Sequence, residues 1–214
     1  MSSISGLFHE KAYSAGQTIY IAGDPAANLY VVAVGKVKLQ RATAAAKTVV
    51  IGIISPGDFF GSLSDLGDRT YPDTAVAHTD CCLLAIDGAD FRAILRRYPA
   101  VANAALDMVS ARLHSMHELV EQLSAHPVEQ RIASTLRALA GRLGEKRGNS
   151  VLIQMPLSRQ DLAEMTGTTP ETASRVLTQF RRSGLIRSGR RWVAILDQAR
   201  LEAASGCGPE KKSH

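Results

Sequence analysis

Residues 158–186 constrain the fold more than any other stretch of the chain. Their sequence, SRQDLAEMTGTTPETASRVLTQFRRSGLI, predicts two short helices joined by a tight turn. Ser158 with Asp161 three residues later is a capping-box pattern, so the first helix should begin there. Gly167 allows the turn, and Thr169 followed by a proline is typical of the start of the second helix. The stretch therefore predicts a helix-turn-helix.

The start of the second helix carries side chains that suit the edges of DNA bases. Glu171, Ser174 and Arg175 fall one turn apart on one face of this helix. Arginine can donate two hydrogen bonds to guanine, glutamate can accept from cytosine, and serine can bind several base edges. The N-terminus of this helix enters the major groove in such motifs, so we expect these three residues to contact bases. A purely structural alternative is that Glu171 favours the helix dipole and pairs with Arg175.

The distribution of charge supports a polyanionic partner for one half of the chain. Residues 1–126 contain 10 Lys and Arg and 12 Asp and Glu, a net charge of −2, whereas residues 127–214 contain 15 and 8, a net charge of +7. A basic half beside a mildly acidic half indicates that only the C-terminal half meets a polyanion, which with the helix-turn-helix would be double-stranded DNA. A basic surface that serves solubility alone is the simpler alternative.

Short β-rich runs separated by turn signals fill the N-terminal part. Glycine, proline and aspartate at the turns supply the backbone conformations that hairpins need. Several short strands at near-regular spacing predict a small antiparallel barrel or roll, which can hold one small ligand. The runs are residues 17–22, 29–34, 36–40, 48–54 and 81–86.

A heptad repeat marks the middle of the chain. Residues 88–97 predict a short helix closed by Tyr98 and Pro99, and a longer helix follows over residues 99–126. Its apolar positions alternate by four and three residues, which predicts a parallel homodimer through this seam. A helix packed only on its own roll would show a wider apolar stripe. The seam residues are Ala102, Leu106, Val109, Leu113, Met116, Val120 and Leu123.

These patterns predict an α+β protein with four segments. Residues 1–98 form a β-roll sensor domain, and residues 99–126 form the dimerisation helix and hinge. Residues 127–202 form a winged helix-turn-helix, with a polar loop at 141–150, and residues 203–214 form a disordered tail. The chain has no apolar run of the ~18 residues that a membrane span needs and no secretory signal, so we predict a cytoplasmic protein without a membrane partner.

The segments around residues 23–39 (GDPAANLYVVAVGKVKL) and 56–61 (PGDFFG) resemble the jelly roll of the cyclic-AMP receptor protein/FNR superfamily. Residues 168–177 (TTPETASRVL) resemble the recognition helix of its FNR branch, because proline precedes the glutamate. The resemblance implies a cupin-like roll of the cyclic-nucleotide-binding type. It also implies a homodimeric, sequence-specific transcription regulator, an activator rather than an enzyme, with RNA polymerase as a further partner. The implied target is an inverted repeat close to TTGA-N6-TCAA.

The same resemblance, with the wing predicted over residues 184–196, indicates contacts to the DNA backbone. Such contacts position a protein on the duplex without specifying sequence. We interpret Trp192 as packing within the wing. The predicted backbone contacts are Ser158, Arg159, Gln160, Thr169, Thr172, Arg187, Arg190 and Arg191.

The expected effector pocket departs from the family pattern. Ser62 stands where nucleotide-binding members have glutamate, and Tyr71 with Pro72 stands where an Arg-Ser pair grips the phosphate. Arg69 is two residues out of register. A buried phosphate would lose its best partner, which argues against ordinary cyclic-AMP binding. The pocket candidates are Gly61, Ser62, Leu63, Arg69, Tyr71 and Asp73.

Other effectors can be tested against the residues. An iron–sulfur cluster needs four thiolates, and the chain has three cysteines, so this cofactor is excluded. Cys81 and Cys82 should point to opposite faces of a strand. A haem-based sensor of NO or CO, a thiol redox sensor, and a cyclic-AMP regulator with a non-standard pocket stay open. For haem the histidines at 9, 78, 114, 117 and 126 are available, but none stands in a ligand motif.

Two functions of other classes compete with the regulator. A cupin-like metalloenzyme fused to a DNA anchor would need a cluster of His and Glu ligands on the roll, where only His9 and His78 occur. We therefore predict no metal site. A nonspecific DNA-packaging protein would bind every duplex equally at fixed salt.

Overall fold

The computed structural model describes residues 5–44, 47–62 and 70–206. Its contacts divide the chain into two compact units, residues 1–116 and 117–214. The predicted tail from 207 onward, together with Cys207, lies outside the described residues, as do the pocket candidates Leu63 and Arg69.

The first unit is built on two four-stranded antiparallel sheets. The strands are β1 (His9–Tyr13), β2 (Thr18–Tyr20), β3 (Asn28–Val34), β4 (Val37–Ala42), β5 (Thr48–Ile54), β6 (Phe59–Gly61), β7 (Thr74–Ala77) and β8 (Cys81–Asp87). The strand orders of the two sheets are β1-β8-β3-β6 and β2-β7-β4-β5. This arrangement confirms the predicted roll, including the five strands expected from the β-rich runs.

Side chains of β3 alternate between two packing layers, as the two-residue period of a strand requires. Tyr30 and Val32 belong to the main cluster inside the roll. Leu29 belongs to a second cluster, with Ile86 of β8 and Ile94. This part of β3 is therefore buried on both faces of the sheet.

Two helices follow the roll. Helix α1 (Gly88–Arg97) begins at Asp87, whose Oδ1 accepts a hydrogen bond from the backbone N–H of Asp90 at 2.9 Å. Helix α2 (Pro99–Ala125) has no buried residue. Six of the predicted seam side chains are large and apolar, and their exposed fractions lie between 39% and 67%. The predicted long helix is confirmed, and within a single chain its seam stays open. The six are Leu106, Val109, Leu113, Met116, Val120 and Leu123.

The second unit combines helices with one antiparallel sheet of order β11-β12-β10-β9. Its core contains Ile132, Leu136, Leu162, Phe180 and Ile195, all buried. The elements are α3 (Val128–Leu143), β9 (Gly144–Arg147), β10 (Ser150–Ile153), α4 (Arg159–Thr166), α5 (Pro170–Arg182), β11 (Ile186–Gly189), β12 (Trp192–Ile195) and α6 (Gln198–Ala204).

The predicted polar loop at residues 141–150 is wrong. Helix α3 continues to Leu143, and Gly144–Arg147 forms the edge strand β9 paired with β10. An edge strand with one mostly exposed face needs no apolar alternation, so its polar sequence resembled a loop. Gly148, with a φ of +59°, makes the turn between the two strands.

The predicted disordered tail starts too early, because residues 203–206 belong to the folded structure. Helix α6 ends at Ala204, and Ser205 is buried. Ser134 Oγ on α3 donates to the backbone carbonyl of Ser205 at 3.4 Å. Among residues 5–44, 47–62 and 70–206, we find no helix that combines the length and the apolar character of a membrane span.

A matched pair of glycine substitutions tests the turn of the helix-turn-helix. Gly167 has a φ of +60°, and an added Cβ would lie 3.1 Å from Leu123 Cδ2. We expect Gly167→Ala to lower the free energy of unfolding by ~1–2 kcal/mol, because the left-handed conformation is strained for alanine. Gly141 lies within α3, and an added Cβ there meets nothing within 4 Å. Gly141→Ala should stabilise by ~0.5–1 kcal/mol. Urea unfolding of both variants measures the difference, and equal effects would contradict the assigned turn.

Candidate nucleic-acid interface

The first helix of the motif starts at a complete capping box. Ser158 Oγ accepts from the backbone N–H of Asp161 at 2.9 Å, and Asp161 Oδ2 accepts from the backbone N–H of Ser158 at 3.0 Å. These bonds satisfy backbone donors that a helix start leaves unpaired. The predicted start of α4 is confirmed. Ser158, also predicted as a backbone contact, is exposed while it serves as the cap.

The turn and the start of α5 follow the expected local chemistry. Gly167 ends α4 in the left-handed conformation, and Thr168 N–H donates to Ala163 O at 3.0 Å. Thr169 Oγ1 then accepts from the backbone N–H of Thr172 at 3.3 Å, and Pro170 is the first residue of α5. Thr169 and Thr172, predicted as backbone contacts, therefore lie at the N-terminus of α5.

Small and apolar side chains fix how α4 and α5 cross. Ala163 on α4 and Ala173 and Val176 on α5 are all buried. Alanine at such a crossing lets two helix backbones approach closely. Burial of this face of α5 leaves the opposite face exposed.

The three predicted base-contacting residues lie together on that exposed face. Glu171, Ser174 and Arg175 line one shallow surface with the side chains that follow along α5. Glu171 and Arg175 are exposed, and Ser174 is half-buried. No ion pair within the described part of the chain joins Glu171 to Arg175. Both charged groups are thus available to a ligand. The surface continues through Thr178, Gln179, Arg182 and Ser183.

Ser174 is held by a residue of the preceding helix. Arg159 Nε donates to Ser174 Oγ at 2.8 Å. Because the oxygen accepts this bond, the hydroxyl proton remains for a second partner. Arg159, at the start of α4 and predicted to contact phosphate, is therefore linked to the face of α5 that is predicted to contact bases. Its neighbour Gln160 instead bonds along its own helix, with Nε2 donating to Glu164 Oε1 at 2.7 Å.

Glu171 is prepared to act as a hydrogen-bond acceptor. A hydrogen bond from its own backbone N–H, followed by one from the side chain of Thr169, lowers the pKa of the Glu171 carboxyl below its usual range. The group is consequently ionised at neutral pH. An ionised carboxylate can only accept hydrogen bonds, which suits the amino group of cytosine.

The wing is a hairpin of β11 and β12. Arg187 lies on β11, Arg190 and Arg191 lie in the connecting turn, and all three side chains are exposed. Trp192 pairs across the hairpin with Gly189. A Cβ added at Gly189 would lie 2.5 Å from Trp192 Nε1, so the indole lies over this glycine. Packing of Trp192 within the wing is confirmed.

Part of the predicted effector pocket lies around tyrosines inside the roll. Tyr71 is buried, and its ring stacks on Tyr20 with centroids 3.8 Å apart. Its hydroxyl donates to Asn28 O at 3.1 Å and accepts from Asn28 N–H at 3.0 Å. Gly61, with a φ of +100°, would place a Cβ only 2.8 Å from the same carbonyl. Ser62, the candidate next to Gly61, is half-buried.

Asp73 lies beside this aromatic cluster. Its Oδ1 accepts from the hydroxyl of Tyr20 at 2.9 Å. Burial raises the pKa of Asp73, and the Tyr20 hydrogen bond and the positive charges of Arg112 and Arg41 oppose that shift. Burial raises the pKa of the Tyr20 hydroxyl, and the neighbouring Asp73 raises it further. An acidic side chain and tyrosine hydroxyls therefore meet in this part of the roll.

The pKa of Asp73 predicts a dependence of stability on pH. A raised pKa means that the folded state binds the proton more strongly, so this contribution lowers stability as the pH rises from ~4 through the folded-state pKa. Asp73→Asn should remove that decline while its amide oxygen still accepts from Tyr20. We expect the free energy of unfolding of the variant, relative to the wild type, to rise between pH 4 and pH 7. An unchanged difference across this range would show that Asp73 titrates normally.

Cysteines and histidines form no cluster in the described residues. Cys81 is buried in the roll and Cys82 is half-buried, which confirms that they point to opposite faces. Burial, then the nearby Cys82 and Asp80, raises the pKa of the Cys81 thiol, so it is a poor nucleophile. Within residues 5–44, 47–62 and 70–206, no three His, Cys, Asp or Glu side chains are grouped as a metal site.

Sequence reasoning missed two features of these sites. Tyr20, Tyr30 and Phe60 join Tyr71 in one stacked cluster, although they come from four separate strands or loops. The bond from Arg159 to Ser174 spans 15 residues. The first has no local signal, whereas the second could have been found by placing both helices on a helix-turn-helix template.

Comparison with known proteins agrees with this geometry. The chain matches the sequence profile of the cyclic nucleotide-binding domain over residues 10–98 and that of the Crp-like helix-turn-helix domain over residues 130–204. It is 32% identical over 195 residues to the cyclic AMP receptor protein of Thermus thermophilus, covering 91% of this chain and 87% of that protein. It is 27% identical over 212 residues to the transcriptional activator protein FnrL of Cereibacter sphaeroides, covering 96% and 84%.

Among solved structures, FixK2 of Bradyrhizobium japonicum shares the fold, with a TM-score of 0.81 at 23% identity, covering 92% of this chain and 96% of that one. A cyclic-nucleotide-binding roll followed by a long helix and a winged helix-turn-helix defines a class of DNA-binding transcription regulators. The chain belongs to the CRP/FNR family of that class. Members of this family bind DNA and act as dimers.

Proposed function

We propose that this protein is a homodimeric transcription activator that binds an inverted repeat close to TTGA-N6-TCAA. The observation that carries the proposal is the outward face of α5, where Glu171, Ser174 and Arg175 lie together at the helix N-terminus. Arginine binds guanine through two hydrogen bonds, and an ionised glutamate accepts from the cytosine amino group. The TTGA half-site contains one guanine on one strand and one cytosine on the other.

The hydrogen bond from Arg159 orients the hydroxyl group of Ser174. Its oxygen accepts from Arg159, so its proton is directed to an acceptor on a base, such as thymine O4. Arg159 also stands where the family contacts phosphate. A phosphate that binds Arg159 would therefore also fix the orientation of the base-contacting serine.

Two-fold symmetry follows from the exposed seam of α2. Leu106, Val109 and Leu113 are more than half exposed in the single chain, and a second copy of α2 would bury them. A parallel pair of α2 helices would present two copies of α5 to one face of the duplex. The centres of the half-sites in TTGA-N6-TCAA are about 10 base pairs apart, which is one turn of DNA.

Exposed wing residues support contacts to the DNA backbone. Replacing Arg190 with alanine should weaken binding to the inverted repeat and to a scrambled duplex alike. The slope of log K against log salt should become less steep by ~0.9 per half-site, because one fewer counterion is released at each half-site. Fluorescence anisotropy titrations between low and moderate salt measure this slope. A loss confined to the inverted repeat would show that Arg190 contacts bases instead.

The residues inside the roll support a sensor domain whose effector is not a cyclic nucleotide bound in the usual way. Asp73 places a carboxylate among the pocket candidates, and Tyr71 stacks in the interior of the roll. A cyclic phosphate beside Asp73 would be repelled by the like charge of the ionised carboxyl group. Contact with RNA polymerase and a cytoplasmic location stay predictions of this proposal.

Selection from a library of random duplexes tests the target. The full-length protein should enrich inverted repeats with two TTGA-like half-sites and a six-base spacer. Enrichment of single half-sites would contradict the dimer, and enrichment of an unrelated repeat would contradict the assigned base contacts. Equal recovery of all sequences would contradict sequence specificity altogether.

A further inference from the structure

A cavity of about 300 Å³ lies on the outer face of the β1-β8-β3-β6 sheet, against α1 and α2, and opens to solvent beside the exposed residues Gly57, Val101 and Ala104. Leu29 and Val31 of β3 line it, whereas Tyr30 and Val32 point the other way into the roll. It is therefore separate from the pocket candidates around Tyr71 and Asp73. The remaining walls include Phe59, Ile86, Phe91, Ile94, Ala105 and Met108.

The walls of this cavity are apolar throughout. Its lining residues contribute aliphatic, aromatic and methionine side chains together with the backbone of Gly57, and none carries a charged or polar side chain. An ionised ligand group that entered it would lose hydration without finding a polar partner among the lining side chains, which is costly. The chemistry of the walls thus selects a neutral, apolar occupant.

The size of the cavity defines the occupant further. A dry apolar cavity of ~150 Å³ in another protein binds benzene, so a space about twice as large suits two fused rings. Small side chains create this room, because Ala104 and Ala105 of α2 stand opposite the large side chains of the sheet and of α1. We propose that this cavity is a binding site for a small neutral apolar molecule of the size of naphthalene.

Binding of naphthalene to the full-length protein tests the proposal. We expect saturable binding at one site per chain, measured by ligand fluorescence and by ligand-observed NMR. The anion 1-naphthoate, which has the same ring system, should bind at least about tenfold more weakly, because its carboxylate would lose hydration without gaining a partner. Equal binding of the two probes would overturn the apolar assignment, and absence of saturable naphthalene binding would overturn the site.

Two variants of α2 locate the site. Ala105→Leu fills the cavity and should weaken naphthalene binding by at least about tenfold. Ala100→Leu makes the same change at an exposed position of the same helix and should leave binding unchanged. Equal binding to both variants would place the probe elsewhere and overturn the proposal.

An enlarging variant covers the case in which Ala105→Leu fails to fold. Met108→Ala widens the cavity and should admit anthracene, which the wild type should exclude. Anthracene binding by the wild type and the variant alike would contradict the assigned walls. The site rests on the first unit alone, so a negative result here leaves the DNA-binding proposal intact.

Discussion

Replacing Arg175 with alanine is expected to weaken binding to a TTGA-N6-TCAA duplex by ~1–3 kcal/mol per half-site. The exposed guanidinium lies on the proposed base-contact face beside Glu171 and Ser174, with no ion pair to Glu171 in the described part of the chain. Its loss would remove the proposed two-bond contact to guanine, so the variant should also tolerate other bases at that position. Titration of duplexes that differ only at this base pair measures both effects.

Arg181→Ala is the matched control, because it removes the same charge from the same helix. Arg181 Nη2 donates to Thr178 Oγ1, and its side chain is not part of the surface that Glu171 and Arg175 line. We expect this variant to keep the preference for guanine. Each variant could instead weaken binding to the specific duplex and to the scrambled duplex by the same factor. If both Arg175→Ala and Arg181→Ala did so, Arg175 would contribute only its charge.

Replacing Leu113 with glutamate should dissociate the dimer at micromolar concentration. Leu113 stands near the centre of the seam and is 55% exposed in the single chain. Symmetry applies the change twice, and burial of each leucine contributes ~1.5–3 kcal/mol. The two carboxylates would also face each other. Sedimentation velocity should show a monomer, and affinity for the inverted repeat should fall by at least about 100-fold.

Ala111→Glu introduces the same charge on α2, at an exposed position away from the seam. This control should remain a dimer and bind the inverted repeat as the wild type does. A dimer that persists in Leu113→Glu would contradict pairing through the seam. A monomer in both variants would show that α2 tolerates no added charge and would leave the seam without specific support.

The elements that sequence predicted well are those whose signals are local. The capping box at Ser158, the glycine at 167 and the cap at Thr169 each act over three or four residues, and all three are found where expected. The heptad of α2 and the strands with β-branched runs are also visible in single segments. Local chemistry was therefore sufficient for the helix-turn-helix and for most of the roll.

The elements that were missed depend on partners distant in sequence. Strand β1 has a polar, mostly exposed sequence and exists because it pairs with β8 about 70 residues later. Strand β9 forms only against β10. The stack of Tyr20 on Tyr71 likewise joins residues about 50 positions apart. Pairing and packing over such distances leave no mark in a single segment of the sequence.

The candidate sites differ in the same way, because one is formed by residues close in sequence and the others by residues far apart. Glu171 and Arg175 could be placed on one face of α5 from helical spacing alone. The interior of the roll could not be inferred in this way, because Tyr20 reaches Asp73, and Tyr71 reaches Asn28, only after both sheets have formed. Nor could the apolar cavity be inferred, since its walls come from strands of one sheet and from two helices.

The affinity of the wild-type dimer for two duplexes of equal length tests the central claim most directly. One contains TTGA-N6-TCAA and the other contains the same bases with both half-sites scrambled, at one fixed salt concentration. We predict that the inverted repeat binds at least about 10³-fold more tightly, as sequence-specific regulators do. Affinities within a factor of about three would contradict sequence-specific recognition by the outward face of α5.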